Sequence, residues 1–261
     1  MQERHLNRKQ YFEEQSRTCE KYYIPYLEKF IPVDNIKSVL EIGCGDGGNL
    51  LPFAKRGINI TGVDILEGSI QRAKNNYAEL GYEGNFIASD ILKVKDFPEK
   101  FDLIFMHDVI EHIYDKETLL LHLKHFLKPS GLLFFGFPAW LMPFGGHQQV
   151  CKNKIVSHLP FIHLLPNPIY KGLLTLAKEK KDTIDELLDI KRCKITIEMF
   201  HRLAKQTKYE IINERFYLIN PHYETKFNLK PRLVPKIVSS IPYIRNFYTT
   251  SCFFMIKPDK N

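Results

Sequence analysis

No Cys-x-x-Cys pair occurs in this 261-residue sequence, and its five cysteines (Cys19, Cys44, Cys151, Cys193, Cys252) are odd in number and irregularly spaced. That pattern argues against a structural zinc site or a disulfide framework and suits a reducing compartment. Glycine (14) and proline (15) are too few for a low-complexity or collagen-like chain, and there is no internal repeat. A long apolar run is also missing. The greasiest stretch, about 155–177, is broken by Pro160, Pro166, Pro168, two histidines and Lys171, so it cannot cross a bilayer as one helix. The first fifteen residues are charged and lack the apolar core of a signal peptide. The expectation is a cytoplasmic protein.

What is present is ordinary globular composition, 44% apolar and 26% charged, enough for one large α/β domain or a core with a small cap. The net charge of +7 is unevenly spread. Residues 1–150 carry 17 Lys/Arg against 20 Asp/Glu, whereas residues 151–261 carry 20 against 10. The basic half is either simply solvated or meets something anionic: a phosphorylated or carboxylated substrate, nucleic acid, or a lipid surface.

Short apolar runs alternate with helical patterns, as in βαβ units around a parallel sheet. Strands are expected at 38–42, 58–63, 85–89, 101–106 and 132–137, the last apolar enough to be covered on both faces. A helix follows the glycine-rich turn 43–49 to about Arg56. Another runs over 67–80 and stops at Gly81, and a third over 116–127. The alternation then ceases. Residues 138–195 read as a cap with a helical stretch near 178–189. Thr196 caps a helix to about Lys205, and strands follow at 209–219 and 250–256. Residues 1–30 read as helical, with Tyr11, Phe12, Tyr22, Tyr23 and Tyr26 available to pack on the core. The expected division is 1–36 (helical segment), 37–138 (core), 139–195 (cap) and 196–261 (rest of the core, with a second cap insertion at about 220–248).

Strand one ends in Glu41-Ile42-Gly43-Cys44-Gly45-Asp46-Gly47-Gly48-Asn49. Its glycines allow a sharp turn and let a ligand approach the backbone. Gly43, Gly45 and Gly48 also satisfy the dinucleotide fingerprint, and Asp64 at the end of strand two suits a ribose diol in either case. Two further acids separate the readings. Glu41 puts a carboxylate beneath the loop, and Asp90 after strand three can reach an adenine amino group. A ligand with a sulfonium, an ammonium, an adenosine and no phosphate suits Glu41, Asp64 and Asp90 better than a pyrophosphate does.

These motifs, with Ser89-Asp90, FDLIFMHDVIEHI (101–113) and LKPSGLLFFGFP (127–138), resemble the class I S-adenosylmethionine-dependent methyltransferases. The resemblance covers about 37–138 well and extends to the strand pattern at 209–256. It implies a Rossmann-like, doubly wound, mostly parallel seven-stranded α/β sheet with an antiparallel last strand, carrying here an inserted basic cap. It further implies S-adenosyl-L-methionine as cofactor and methyl transfer to oxygen or nitrogen. Matched residue by residue, the loop Gly43, Cys44, Gly45, Gly47 and Asn49, with Glu41, would cradle the amino-acid end. Asp64 and Ile65 would hold the ribose, Asp90 and Ile91 the adenine, and His107 with Asp108 would line the pocket.

The loop after strand five, Phe137 to Gln149, looks like that of a bacterial subset with a Gly-Gly-His-Gln-Gln sequence and carries no substrate assignment. It offers an aromatic wall and one titratable group, His147, a candidate base for a hydroxyl or amine nucleophile or else a turn residue. His112 reads as fixing the start of the next helix. Cys44 reads as a small filler between strand and helix. His158 and His163 lack a third ligand nearby, so no metal site is expected. Tyr11 either closes over the cofactor or packs in the core. Tyr223, Lys226 and Arg232 either bind an anionic substrate or are solvated. The acceptor expected is a small or lipid-like molecule. In 231–248, Arg232, Lys236 and Arg245 are interleaved with apolar residues. There the favoured expectation is apolar packing on the sheet with solvated cations, and peripheral membrane contact is the alternative. Competing classes are a nicotinamide-dependent oxidoreductase, disfavoured by Glu41 and Asp90, and a nucleic-acid binder, disfavoured by dispersed lysines.

Overall fold

Five apolar segments of the chain have the length and composition of buried parallel strands, and they pair as such in the computed structural model, which describes residues 7–259. They are β1 (Ser38–Ile42), β2 (Asn59–Asp64), β3 (Asn85–Ala88), β4 (Phe101–His107) and β5 (Leu127–Phe137). Three more, β6 (Tyr209–Ile219), β7 (Arg232–Leu233) and β8 (Ser251–Pro258), complete one sheet in the order β3-β2-β1-β4-β5-β8-β6-β7. β8 runs antiparallel between β5 and β6. The doubly wound expectation holds, but the sheet has eight strands rather than seven. The addition, β7, is two residues long and antiparallel to β6 at the sheet edge. It lies in the stretch expected to be cap, where no apolar run marks it.

Strand alternation divides the core. Leu40, Ile104, Leu133 and Ile256 face one layer, with the helices Lys116–Leu123 and Ile197–Gln206. Val39, Leu103, Phe134 and Phe253 face the other, with the N-terminal helices and Glu67–Leu80. Gly81 ends that helix with φ +72°, and Thr196 caps Ile197–Gln206 by accepting from Met199 N–H. The N-terminal segment is helical over Arg8–Thr18 and, through a wider turn, on to Leu27. Residues 1–6 of that expectation lie outside the described residues.

Trp140, Val156, Tyr170, Leu174, Leu187 and Ile190 belong to a separate small core formed within 140–190, built largely on the helices Asn167–Leu176 and Lys181–Cys193. Among the described residues no helix is long and apolar enough to cross a membrane.

The segment 231–248 meets the favoured expectation only in part: Val234 and Val238 pack on the core and Arg232 and Lys236 are exposed, but other residues depart from it. Ile237 is 80% exposed and Tyr243, Ile244 and Tyr248 are also exposed. Arg245 is instead buried, with its Nε donating to Glu198 Oε1 at 3.0 Å. Three prolines force short turns that keep this stretch from presenting one continuous apolar face to the sheet.

Candidate functional site

β1 and β4 are neighbours whose crossovers leave in opposite directions, so a crevice opens at their carboxyl ends. Gly43, Gly45 and Gly47 turn the chain there with φ of +69°, +52° and +85°. A Cβ on Gly43 would lie 2.2 Å from Val109 Cγ2, so the turn after β1 sits directly against the loop after β4. A Cβ on Gly45 would meet nothing within 4 Å, so open space lies over the loop at that point.

Glu41 points from β1 beneath this loop. It is 1% exposed, its Oε1 accepts from Asn49 Nδ2 at 2.8 Å, and its Oε2 has no partner. Burial pushes its pKa up to about 8, against the Asn49 hydrogen bond and with a smaller push from Asp64. Asp64 accepts from Gly45 N–H (2.9 Å) and Leu66 N–H (2.8 Å), so it ties the glycine loop to β2 while keeping lone pairs to spare. Asp90 accepts from Leu92 N–H at 3.0 Å.

The other expected residues divide. Ile65 is 72% exposed at the rim beside Asp64. The Ile91 side chain is in the core, and Cys44 Sγ packs toward Gly62 of β2, so neither side chain faces the crevice. His107 is clamped: its Nε2 lies 2.9 Å from Tyr23 OH, its Nδ1 is 3.2 Å from Asp108, and its ring stacks on Tyr23.

Asp108 is the electrostatic centre beyond β4, held in left-handed backbone (φ +55°). Desolvation works to raise its pKa, but His107, His222 and His147 outweigh it and hold the carboxyl below its ordinary range. The same charge acts on Tyr11, Tyr23, His112 and Tyr223, which brings the N-terminal helix and the helix His222–Phe227 to one site. Tyr11 packs edge-on to His222, and Thr18 Oγ1 is 3.1 Å from His222 Nδ1. Tyr223 therefore belongs to the site, whereas Arg232 is exposed on the edge strand.

The loop after β5 is shaped by close packing. A Cβ on Gly145 would lie 2.2 Å from the Trp140 carbonyl oxygen, and one on Gly146 would lie 2.1 Å from His163 Cβ. Fully buried Gln148 donates to the carbonyls of Pro143 (3.0 Å) and Leu159 (3.1 Å). His147 is left at φ +58°, half-buried, and its pKa is lowered to about 4 by burial first and by His112 next. It is neutral at physiological pH and a weak base, not the near-neutral one expected. Its ring centroid is 5.1 Å from that of His112. His112 does not fix the next helix; Asp115 does, accepting from Thr118 N–H at 3.0 Å. Glu111, which sequence patterning passes over, is 4% exposed with neither carboxyl oxygen hydrogen-bonded.

Residues 34–214 match the family model of the methyltransferase domain. The chain belongs to that family. This methyltransferase domain is 32% identical over 132 residues to a ubiquinone biosynthesis O-methyltransferase of Coxiella burnetii, a match covering 49% of the chain and 56% of the relative. It is 34% identical over 169 residues to the protein of that name from Bartonella tribocorum, covering 61% and 68%. The chain thus spans little more than half the length of the Coxiella relative. In fold it is similar to an S-adenosylmethionine-dependent methyltransferase of Clostridium acetobutylicum (TM-score 0.59, 13% identity, 95% of this chain and 92% of that one). It is also similar to the magnesium protoporphyrin IX methyltransferase of Synechocystis (TM-score 0.56, 13%, 94% and 84%).

Proposed function

We propose that this methyltransferase domain binds S-adenosylmethionine in the crevice beyond β1–β4 and methylates a hydroxyl oxygen of a small or lipid-like acceptor. The observation that carries this reading is Glu41: a buried carboxyl with an unpartnered Oε2, beneath a glycine loop with open space at Gly45. A cationic amino-acid and sulfonium end fits that place, because it favours the ionised form of Glu41, whereas a pyrophosphate would meet Asp64 and Asp90 as like charges and gain nothing from a protonated Glu41. Asp64 has acceptor capacity for a ribose diol, Asp90 stands at the adenine end, and exposed Ile65 can cover the base. When bound, the cofactor supplies an electrophilic methyl group. The chain's own task is to align the acceptor and keep water out, and the Tyr11, Tyr23 and Tyr223 side of the site serves both needs. His147 stands on the acceptor side, where its neutral imidazole offers a lone pair.

The names of the curated relatives support oxygen as the accepting atom, and the Synechocystis structure, which contains S-adenosylhomocysteine, supports the cofactor. A cytoplasmic setting belongs to the same reading, since all five thiols are free and buried. The exposed apolar residues around Ile237 and Tyr243 support an acceptor that is met at a lipid surface.

An assay of S-adenosylhomocysteine release over a panel of hydroxylated aromatic and prenylated acceptors, offered in solution or in acidic phospholipid vesicles, tests the reading. Turnover with at least one hydroxylated acceptor is expected, enhanced by vesicles at low salt. Release confined to amine or thiol acceptors would overturn the assignment of oxygen.

A further inference from the structure

Cofactor binding leaves Glu111 unused. A buried carboxyl with both oxygens unpartnered is uncommon in a folded chain and calls for a ligand or a proton. It stands on the short turn Ile110–His112 beyond β4, and the next residue is His112. His147 reaches the same point from the loop after β5. One ligating atom from each of the three lies within 4.8 Å of the others.

We infer that Glu111, His112 and His147 form a binding site for a divalent transition-metal ion on the acceptor side of the crevice. Two imidazoles and one carboxylate make a donor set for borderline cations such as zinc, iron(II) or cobalt, with manganese a harder alternative, and leave coordination positions open. An oxygen-only cluster would favour magnesium or calcium. The loop is built to hold His147 in place. Gly145 and Gly146 permit its close packing on Trp140 and His163, and Gln148 ties it to two carbonyls. His147 keeps a left-handed backbone conformation that most side chains avoid, so its orientation is enforced by its surroundings.

The charged groups around the site are compatible with a cation. Asp108 acts on both imidazoles from beyond β4. Lys116 is nearby, but its ammonium donates to the carbonyls of Ile113 and Cys193, not to Glu111. A hydroxyl oxygen seated on such a cation loses its proton to solvent more readily, because the cation stabilises the resulting anion. That role rests on the methyl-transfer reading; the metal site itself does not.

The test is a titration of chelator-treated protein with zinc chloride by calorimetry and with cobalt(II) by visible absorption. Saturation at one equivalent is expected, weakened about tenfold or more in His147→Ala and in Glu111→Gln. Circular dichroism and melting curves establish that each variant is folded. His112→Ala, at an exposed position, gives a third reading independent of core packing. His158→Ala, on the separate helix Lys154–His158, should leave binding unchanged. No stoichiometric binding of zinc, cobalt or manganese would overturn the site and leave Glu111 as a protonated buried acid. Binding that persists in His147→Ala or disappears in His158→Ala would overturn it equally. S-adenosylhomocysteine affinity, measured on the same chelated protein, tests the cofactor reading separately.

Discussion

At neutral pH the carboxyl of Glu41 holds a proton that a solvated glutamate would have lost, because burial raises its pKa from 4.5 to about 8. The folded chain therefore binds a proton that the unfolded chain releases. This group's contribution to stability is fully present below pH 4.5 and is lost as the pH rises through 8. Glu41→Gln, which keeps the shape and an Asn49 contact, should melt at a higher temperature than the wild type, with a gap that widens between about pH 5 and pH 8. The difference at pH 8 should be on the order of a few kcal/mol. Melting curves at the two pH values check this, and a constant gap would mean that Glu41 is ionised in the folded chain. The presence of an acid here is legible in the sequence, where it stands two residues before the first glycine. Its missing partner is not, since that depends on how Asn49 comes back beneath the loop.

At the scale of elements, β1, β6 and the helix Glu67–Leu80 are legible to the residue, because apolar runs and a stop signal at Gly81 bound them. β7 is not, because two residues carry no periodicity and its pairing is set by the path of the 220–248 segment across β6. The acceptor-side cluster was hidden for a similar reason. In the sequence His112 reads as fixing the start of the next helix and Glu111 carries no signal, until the loop after β5 folds back on them. That loop depends on its glycines. Gly146→Ala would place a methyl 2.1 Å from His163 Cβ and force the loop outward. A loss of roughly 1–3 kcal/mol is expected from overpacking, read as a lowered denaturation midpoint. Unchanged stability would show that the Gly145–Gln148 turn yields easily and does not hold His147 in place.

For the whole molecule, the two sides of the crevice come from distant parts of the chain. Strand ends β1–β3 provide the acids, and the N-terminal helix, the β5 loop and the helix His222–Phe227 close around Asp108. The doubly wound sheet is what brings them to one edge; Glu41 and Asp64 share one face of it, but Glu41 lies within β1 beneath the loop and is buried, while Asp64 ends β2 at the half-open rim. Sequence periodicity conveys the sheet but not which side of 231–248 faces water, which is why Ile237 and Arg245 exchange their expected places. In the proposed function the glycine loop and its acids hold an adenosyl amino acid. Calorimetric titration with S-adenosylhomocysteine tests it most directly, on the wild type, Asp64→Ala and Gly45→Ala. Gly45→Ala meets no atom of the fold and costs only the backbone strain of a positive φ, about 1–2 kcal/mol, so it separates binding from folding. One equivalent should bind the wild type, with affinity roughly ten- to hundredfold lower in Asp64→Ala and lost in folded Gly45→Ala, while NAD gives no heat. Saturable NAD binding, or S-adenosylhomocysteine affinity indifferent to both substitutions, would contradict the account.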